Sequence, residues 1–353
     1  MKNICLKLSI LFSLFFLKSI AIVAQEKAIG TLEVVAELEV TPGNVAVSKE
    51  GRIFSSIHPF RPSNYQLVEI TGKSTYVPFP NEQVQSTSDN KSDNKLDAPL
   101  GIIFDNKNRL WVLDVGLNIG HTRLFAYDID TRKEVLRFDI PLEFAPSTSF
   151  VQDLVVDEIN GFVYLADVRN PGIIVIDIRK YEFSKIIDIP SMQPEDIDII
   201  IDNKVHYRKG KPVRIALDAI TISVDRDTLY YGPMNGTKWY KVPTKQIREG
   251  AQNEEIIKHI AVVGKKPICD GAATDENYNH YFTNIQNNSI DVLSKDGTLS
   301  TLKKSPFFDW PDSVRIQGDW LYIATNQIHK SPAFGEGIER STGLFRILKL
   351  KFK

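Results

Sequence analysis

Three aspartates, Asp218, Asp270 and Asp312, stand at the same point of a pattern that recurs along the chain, and Gln152 holds that point in a fourth copy. If the copies are arranged about one axis, these side chains share a small volume with the nearby Asn44 and Asp153. Carboxylates held so close disfavour joint ionisation unless a cation, a basic side chain or protons compensate them. An organic amine would satisfy that demand. So would an oxygen-coordinated ion, for which Ca2+ or Mg2+ suits the donor set better than zinc. A plainer role competes: an aspartate at a strand start can hold the backbone N–H groups of a neighbouring loop.

Other reactive constellations are missing from the sequence. The six histidines, His58, His121, His206, His259, His280 and His329, include no two at the spacing of paired metal ligands. There is no Gly-x-Ser-x-Gly elbow and no glycine-rich fingerprint for a phosphate or dinucleotide. Cys269 has no histidine beside it in sequence to activate it, so it reads as a half-buried structural thiol.

The elements that must position the aspartates are hairpins. Six segments alternate an apolar stretch, a turn and a second apolar stretch carrying an aromatic. They are PGNVAVSKEGRIFSS from Pro42, PLGIIFDNKNRLWVLD from Pro99, VQDLVVDEINGFVYLAD from Val151, LDAITISVDRDTLYYG from Leu217, CDGAATDENYNHYFTN from Cys269 and PDSVRIQGDWLYIATN from Pro311. Alternation as in Val45-Ala46-Val47, with Asp, Asn and Gly clusters at the turns, is the signature of paired strands. Aligned, the copies make Gly43, Leu100, Gln152, Asp218, Asp270 and Asp312 equivalent. Their separations suit one four-stranded blade each, about 40 to 50 residues, plus loops. Further strands are expected at Arg123 to Asp128, Gly172 to Asp177 and Lys238 to Val242. The predicted fold is therefore all-β: a six-bladed β-propeller whose ring is closed by pairing Thr31–Val40 with Gly343–Phe352, which removes both free edges. Two insertions interrupt it. The polar tract from Gln85 to Asn94 reads as a surface loop. The stretch around His206 to Lys211 reads as a lid or edge loop whose basic residues form a solvated face.

Composition narrows the partners. The net charge of −1 lacks the basic excess of a nucleic-acid binder. Lys2 and Lys7, an apolar run from Leu8 to Leu17, and small residues leading to Ala24 read as a signal peptide over 1–24. Lys18 cuts the run short of the roughly 20 apolar residues that span a bilayer, so no stable membrane span is expected after cleavage. The remainder, 25–353, is expected to be one domain, extracellular or periplasmic. With Cys5 removed, Cys269 stands alone and no internal disulfide can form.

With the repeats laid out, the chain resembles the yellow/major royal jelly protein family over nearly all of the length beyond the leader. The segments that carry the likeness are NRLWVLDVG ending at Gly116, PSTSFVQDLVVDEINGFVYLADVRNPGIIVIDI ending at Ile178 and LYYGPMNGTKWYKVPT ending at Thr244. They continue with DGAATDENYNHYFTNIQNNSI ending at Ile290 and WPDSVRI with TNQIHKSPAFGEG ending at Gly337. The resemblance implies a six-bladed propeller in a secreted protein. It also implies a small molecule, such as an amine, bound in the central channel. Some members are linked to melanin precursors, which implies dopachrome-type isomerisation as a further activity.

A more distant likeness is to gluconolactonase and regucalcin, six-bladed metal-dependent lactonases. Their inner strands begin with a Glu, two Asn and an Asp as metal ligands. Carried across by the hairpin alignment, the Asp falls on Asp270, the two Asn on Gln152 and Asp218, and the Glu on Gly43, with Asn44 next to it. This resemblance implies a metal at Gln152, Asp218 and Asp270, and Asp270 as the catalytic base of a hydrolase. The expectation is thus a binding protein using Asn44, Gln152, Asp153, Asp218, Asp270 and Asp312 for a small polar or cationic molecule, with a lactonase or an isomerase as alternatives.

Overall fold

A computed structural model describes residues 27–87, 90–335 and 337–353. The expected signal peptide lies outside them, as do two positions of the polar tract between Gln85 and Asn94. Each of the six hairpins supplies the two innermost strands of a four-stranded antiparallel sheet. The innermost strands are Pro42–Val47, Pro99–Phe104, Val151–Asp157, Leu217–Ile222, Cys269–Thr274 and Pro311–Gln317. Each lies beside the next in chain order, and the sixth returns to the first. The expected six-bladed ring is what forms.

Burial falls with distance from the axis. Pro42–Val47 is buried along its whole length, whereas the outermost strands Lys133–Asp139 and Leu299–Lys304 are largely exposed. An inner strand is pressed by sheets on both sides, which favours near-continuous apolar or small residues over alternation. The apolar cores lie between neighbouring sheets. Trp111, Leu124 and Phe138 of the second sheet pack with Leu154, Val163 and Ile176 of the third. Tyr164 and Val175 of the third pack with Leu229 and Tyr231 of the fourth.

Close to the axis the backbones themselves touch. A Cβ on Gly101 would lie 2.6 Å from the Gln152 carbonyl oxygen, and one on Gly271 would lie 2.5 Å from that of Asp312. Only glycine fits where adjacent sheets approach so closely.

The sixth sheet takes its outermost strand from the start of the described chain. Leu32–Leu38 pairs antiparallel with Phe345–Lys351, as the strand-like ends predict. Arg346 to Glu37 (2.9 Å) and Lys349 to Glu33 (3.3 Å) flank that ladder. The Val45 N–H of the first sheet donates to Ser313 Oγ of the sixth at 3.2 Å, stitching the seam at its inner end.

Between the third and fourth sheets the insertion folds into two short ribbons, Ile200–Ile201 with Lys204–Val205 and Tyr207–Arg208 with Lys211–Pro212. Helices are brief: Ile189–Met192, Thr244–Arg248 and Asn253–Ile257. Among the described residues no helix is long and apolar enough to cross a membrane.

The contact at Gly271 gives a direct test of the crowded axis. Gly271→Ala must push the Asp312 carbonyl away, and overpacking of this kind costs about 1–3 kcal/mol. Urea unfolding should show a lower midpoint with an unchanged slope.

Candidate binding site at the channel mouth

One irregularity recurs at the start of all six inner strands. Pro42, Pro99, Val151, Leu217, Cys269 and Pro311 each pair with the returning strand of their hairpin. The ladder then breaks and resumes at Val45, Ile102, Asp153, Ala219, Ala272 and Ser313. A bulge of this sort frees the intervening residue from the ladder and re-aims its side chain. The residues it frees include Asn44, Gln152, Asp218, Asp270 and Asp312. With Asp153 they all border one cavity of about 380 Å3 at the mouth of the channel. In the first two sheets the break also holds Gly43, Leu100 and Gly101, so these contribute little polarity.

The carboxylates are held by side chains. Gln152 Nε2 donates to Asp218 Oδ1, Trp310 Nε1 to Asp270 Oδ2 at 2.7 Å, and Asn326 Nδ2 to Asp312 Oδ2 at 2.5 Å. None of these three aspartates accepts a backbone N–H in the hydrogen bonds described. That loop-holding role falls elsewhere, to the ends of the second strands. Asp114 accepts the N–H groups of Asp97 and Ala98, and Asp167 accepts those of Phe150, Arg169 and Asn170. Asp153 differs again: it accepts the Leu154 N–H and pairs with Arg315 Nη2 at 2.7 Å. Arg315 comes from the sixth sheet and also donates to the Ile102 carbonyl of the second at 3.3 Å, so it crosses the channel. Beyond it lies a second cavity of about 340 Å3, bordered by Lys49, Asp105, Thr221 and Arg226.

Burial without a matching cation raises the carboxyl groups. Asp218 lies well above the usual carboxylate range, through burial first and then the charge of Asp270. Asp312 is raised for the same two reasons in the same order. Asp270 is pushed up to about 7 by burial and by Asp153, against the pull of the Trp310 hydrogen bond. Asp153 is raised by burial despite Arg315. Asp218 is 1% exposed, yet its Oδ2 meets no donor. A buried acceptor left without a donor calls for a proton, an ion or another donor to satisfy it.

Several residues of the site carry no repeat signature. Trp310 has φ 55°, a left-handed backbone unusual for a bulky residue and more so before Pro311. Its indole is thereby presented to Asp270. Phe60, Phe150 and Phe334 line the same cavity, with Phe60 6.3 Å from Phe150 and 6.2 Å from Phe334 between ring centres. Arg208, expected on a solvated basic face, is exposed and also borders the cavity, as do Arg169 and His58. Cys269 is fully buried rather than half-buried, and burial pushes its thiol up to about 11. His206 and His329, far apart in sequence, meet with ring centres 5.5 Å apart.

The donor set of a metal-dependent lactonase does not fit here. Gly43 stands where the distant likeness puts a glutamate, and a Cβ there would lie 3.0 Å from both Leu100 Cδ2 and Ser56 Oγ. Trp310 already occupies one oxygen of Asp270. Among the described residues no group of three His, Cys, Asp or Glu side chains is placed to hold an ion.

Comparison with known proteins adds to this picture. The family model described as "Major royal jelly protein" matches residues 99–318, from the start of the second inner strand to just past the sixth. Major royal jelly protein 7 of Apis mellifera is 25% identical over 175 residues, covering 46% of this chain and 38% of that protein. Protein yellow of Drosophila guanche is 23% identical over 203 residues, covering 53% and 35%. The match thus spans well under half the length of these curated relatives. A gluconolactonase from Xanthomonas campestris shares the fold at TM-score 0.57 and 12% identity, over 92% of this chain and 90% of the other.

The raised carboxyl at Asp270 has a signed consequence for stability. A group whose folded value lies above its unfolded one stabilises fully below the unfolded value and loses that stability as pH rises through the folded one. The ligand-free protein should therefore lose stability from about pH 4 to about pH 7 on account of Asp270. In Asp270→Asn that part of the fall disappears, so melting temperatures at pH 5 and pH 8 should lie closer together than in the wild type.

Proposed function

The chain belongs to the major royal jelly protein family, and from that premise we propose that it is a secreted propeller that binds a small cationic molecule at the mouth of its channel. The observation that carries the reading is buried Asp218, which borders the cavity and whose Oδ2 meets no donor among the described residues, beside Asp270 and Asp312, which have no ion-pair partner among them either. An ammonium group placed there supplies donors and positive charge together, and replaces the protons that the raised carboxyls otherwise keep. Gln152 and Trp310 fix two of the carboxylates before any ligand arrives, so little reorganisation is needed on binding. Asn44 and Asp153 complete the polar lining. The aromatic walls suit a flat organic body, and a cation beside such rings gains further attraction. The name of the gluconolactonase neighbour suggests lactone hydrolysis, but the closed position at Gly43 argues against a metal-dependent route.

The raised Asp270 also supports a second reading. A carboxyl that titrates near neutrality can take and return a proton, as the isomerisation of a melanin precursor requires. The binding reading asks less of the site and comes first.

Calorimetry with benzylamine and tyramine tests the proposal. Saturable binding is expected, with affinity rising as pH increases through about 7 and levelling above it, because the cation displaces protons. Asp218→Asn should weaken binding by about tenfold or more, since it removes the charge that the cation would meet. No heat with either amine at pH 8 would sink the reading. Gluconolactone should not be turned over, with or without chelator.

A further inference from the structure

The mouth of the cavity carries the opposite charge to its floor. Arg169 follows the second strand of the third sheet, Phe162–Asp167, and its guanidinium lies 4.9 Å above the centre of the Phe150 ring. Arg208, from the inserted ribbon, lies 5.6 Å from the centre of Phe60 and 5.8 Å from that of Phe334. Neither has a carboxylate partner among the described residues. The neighbouring arginines are all engaged: Arg61 with Glu339 at 2.7 Å, Arg214 with Asp196 and Asp198, and Arg315 with Asp153. Arg169 holds its proton less firmly than usual, through burial and then the charge of Arg208, with the charge of Asp167 only partly opposing them, so the two cations stand near each other. Stacking on rings holds each guanidinium in a plane and leaves its N–H edge free, the arrangement that grips a carboxylate in two places.

Resting on the binding proposed above, we infer that the ligand is a zwitterion: an ammonium group on the aspartate floor and a carboxylate at Arg169 and Arg208, joined by a flat apolar body. The two ends are not interchangeable. A carboxylate at the floor would meet Asp218, Asp270 and Asp312, and an ammonium at the rim would meet two guanidinium groups. Repulsion of this kind fixes orientation and excludes reversed poses. The cavity of about 380 Å3 falls within the size range of small-molecule sites. A simple amine would use half of the available charge. A zwitterion uses both.

The test compares benzylamine with para-(aminomethyl)benzoate, which differs by the added carboxylate, on the wild type and on the double variant Arg169→Gln/Arg208→Gln. Both arginines are exposed residues, so the variant should keep the wild-type melting temperature. The zwitterion is expected to bind the wild type about tenfold more tightly than benzylamine, and the double variant to level the two. Equal affinities in the wild type, or an advantage that survives both substitutions, overturns this inference while leaving amine binding intact. Failure of both probes on the wild type overturns the underlying reading and this one with it.

Discussion

Three carboxylates are buried around one axis with no ion-pair partner among the described residues, and the organisation of the site follows from that electrostatic strain. Asp153 is relieved by Arg315; Asp218, Asp270 and Asp312 are not. Leaving such groups inside costs stability, because burial disfavours the charged form and mutual repulsion adds to it. The protein meets this with neutral donors at Gln152, Trp310 and Asn326, which hold the oxygens without cancelling the charge. A site built only for stability would place a lysine or arginine there. Lys266 comes close, but its amino group is turned to the carbonyls of Gly236 and Pro267.

The same crowding that concentrates the charge also fixes its geometry. Glycines at 101 and 271 let neighbouring backbones come within contact of each other, and the six breaks in the ladders free one or two residues per strand near the axis. Arg315 then ties the second, third and sixth sheets across the channel. The upper cavity is lined at its rim by the aromatic residues and by Arg208 of the inserted ribbon.

Much of this was legible in the sequence, because alternation and turn residues repeat with a recognisable spacing. The hairpin alignment placed Gln152, Asp218, Asp270 and Asp312 at one level, and the register of the strands agrees. What periodicity could not reveal is anything that departs from the ladder. The bulges depend on how six strands crowd an axis, and no single strand announces them. Trp310 lies just outside its repeat, in a backbone conformation that Pro311 would ordinarily discourage. Arg208 sits in a basic run typical of a solvated surface, and only the fold of its ribbon brings it over the cavity. The competing role for the aspartates, holding loop backbones, was right in kind but belongs to Asp114 and Asp167.

The seam of the sixth sheet also sets an order of events during synthesis. Leu32–Leu38 leaves the ribosome before any inner strand, yet its partner Phe345–Lys351 follows all six of them. Until that partner emerges, the earliest strand must stay extended and unclaimed, an edge open to wrong pairings. The seam closes only when the earliest and the latest of the described strands meet, whereas every residue lining the hollow lies between them in the chain.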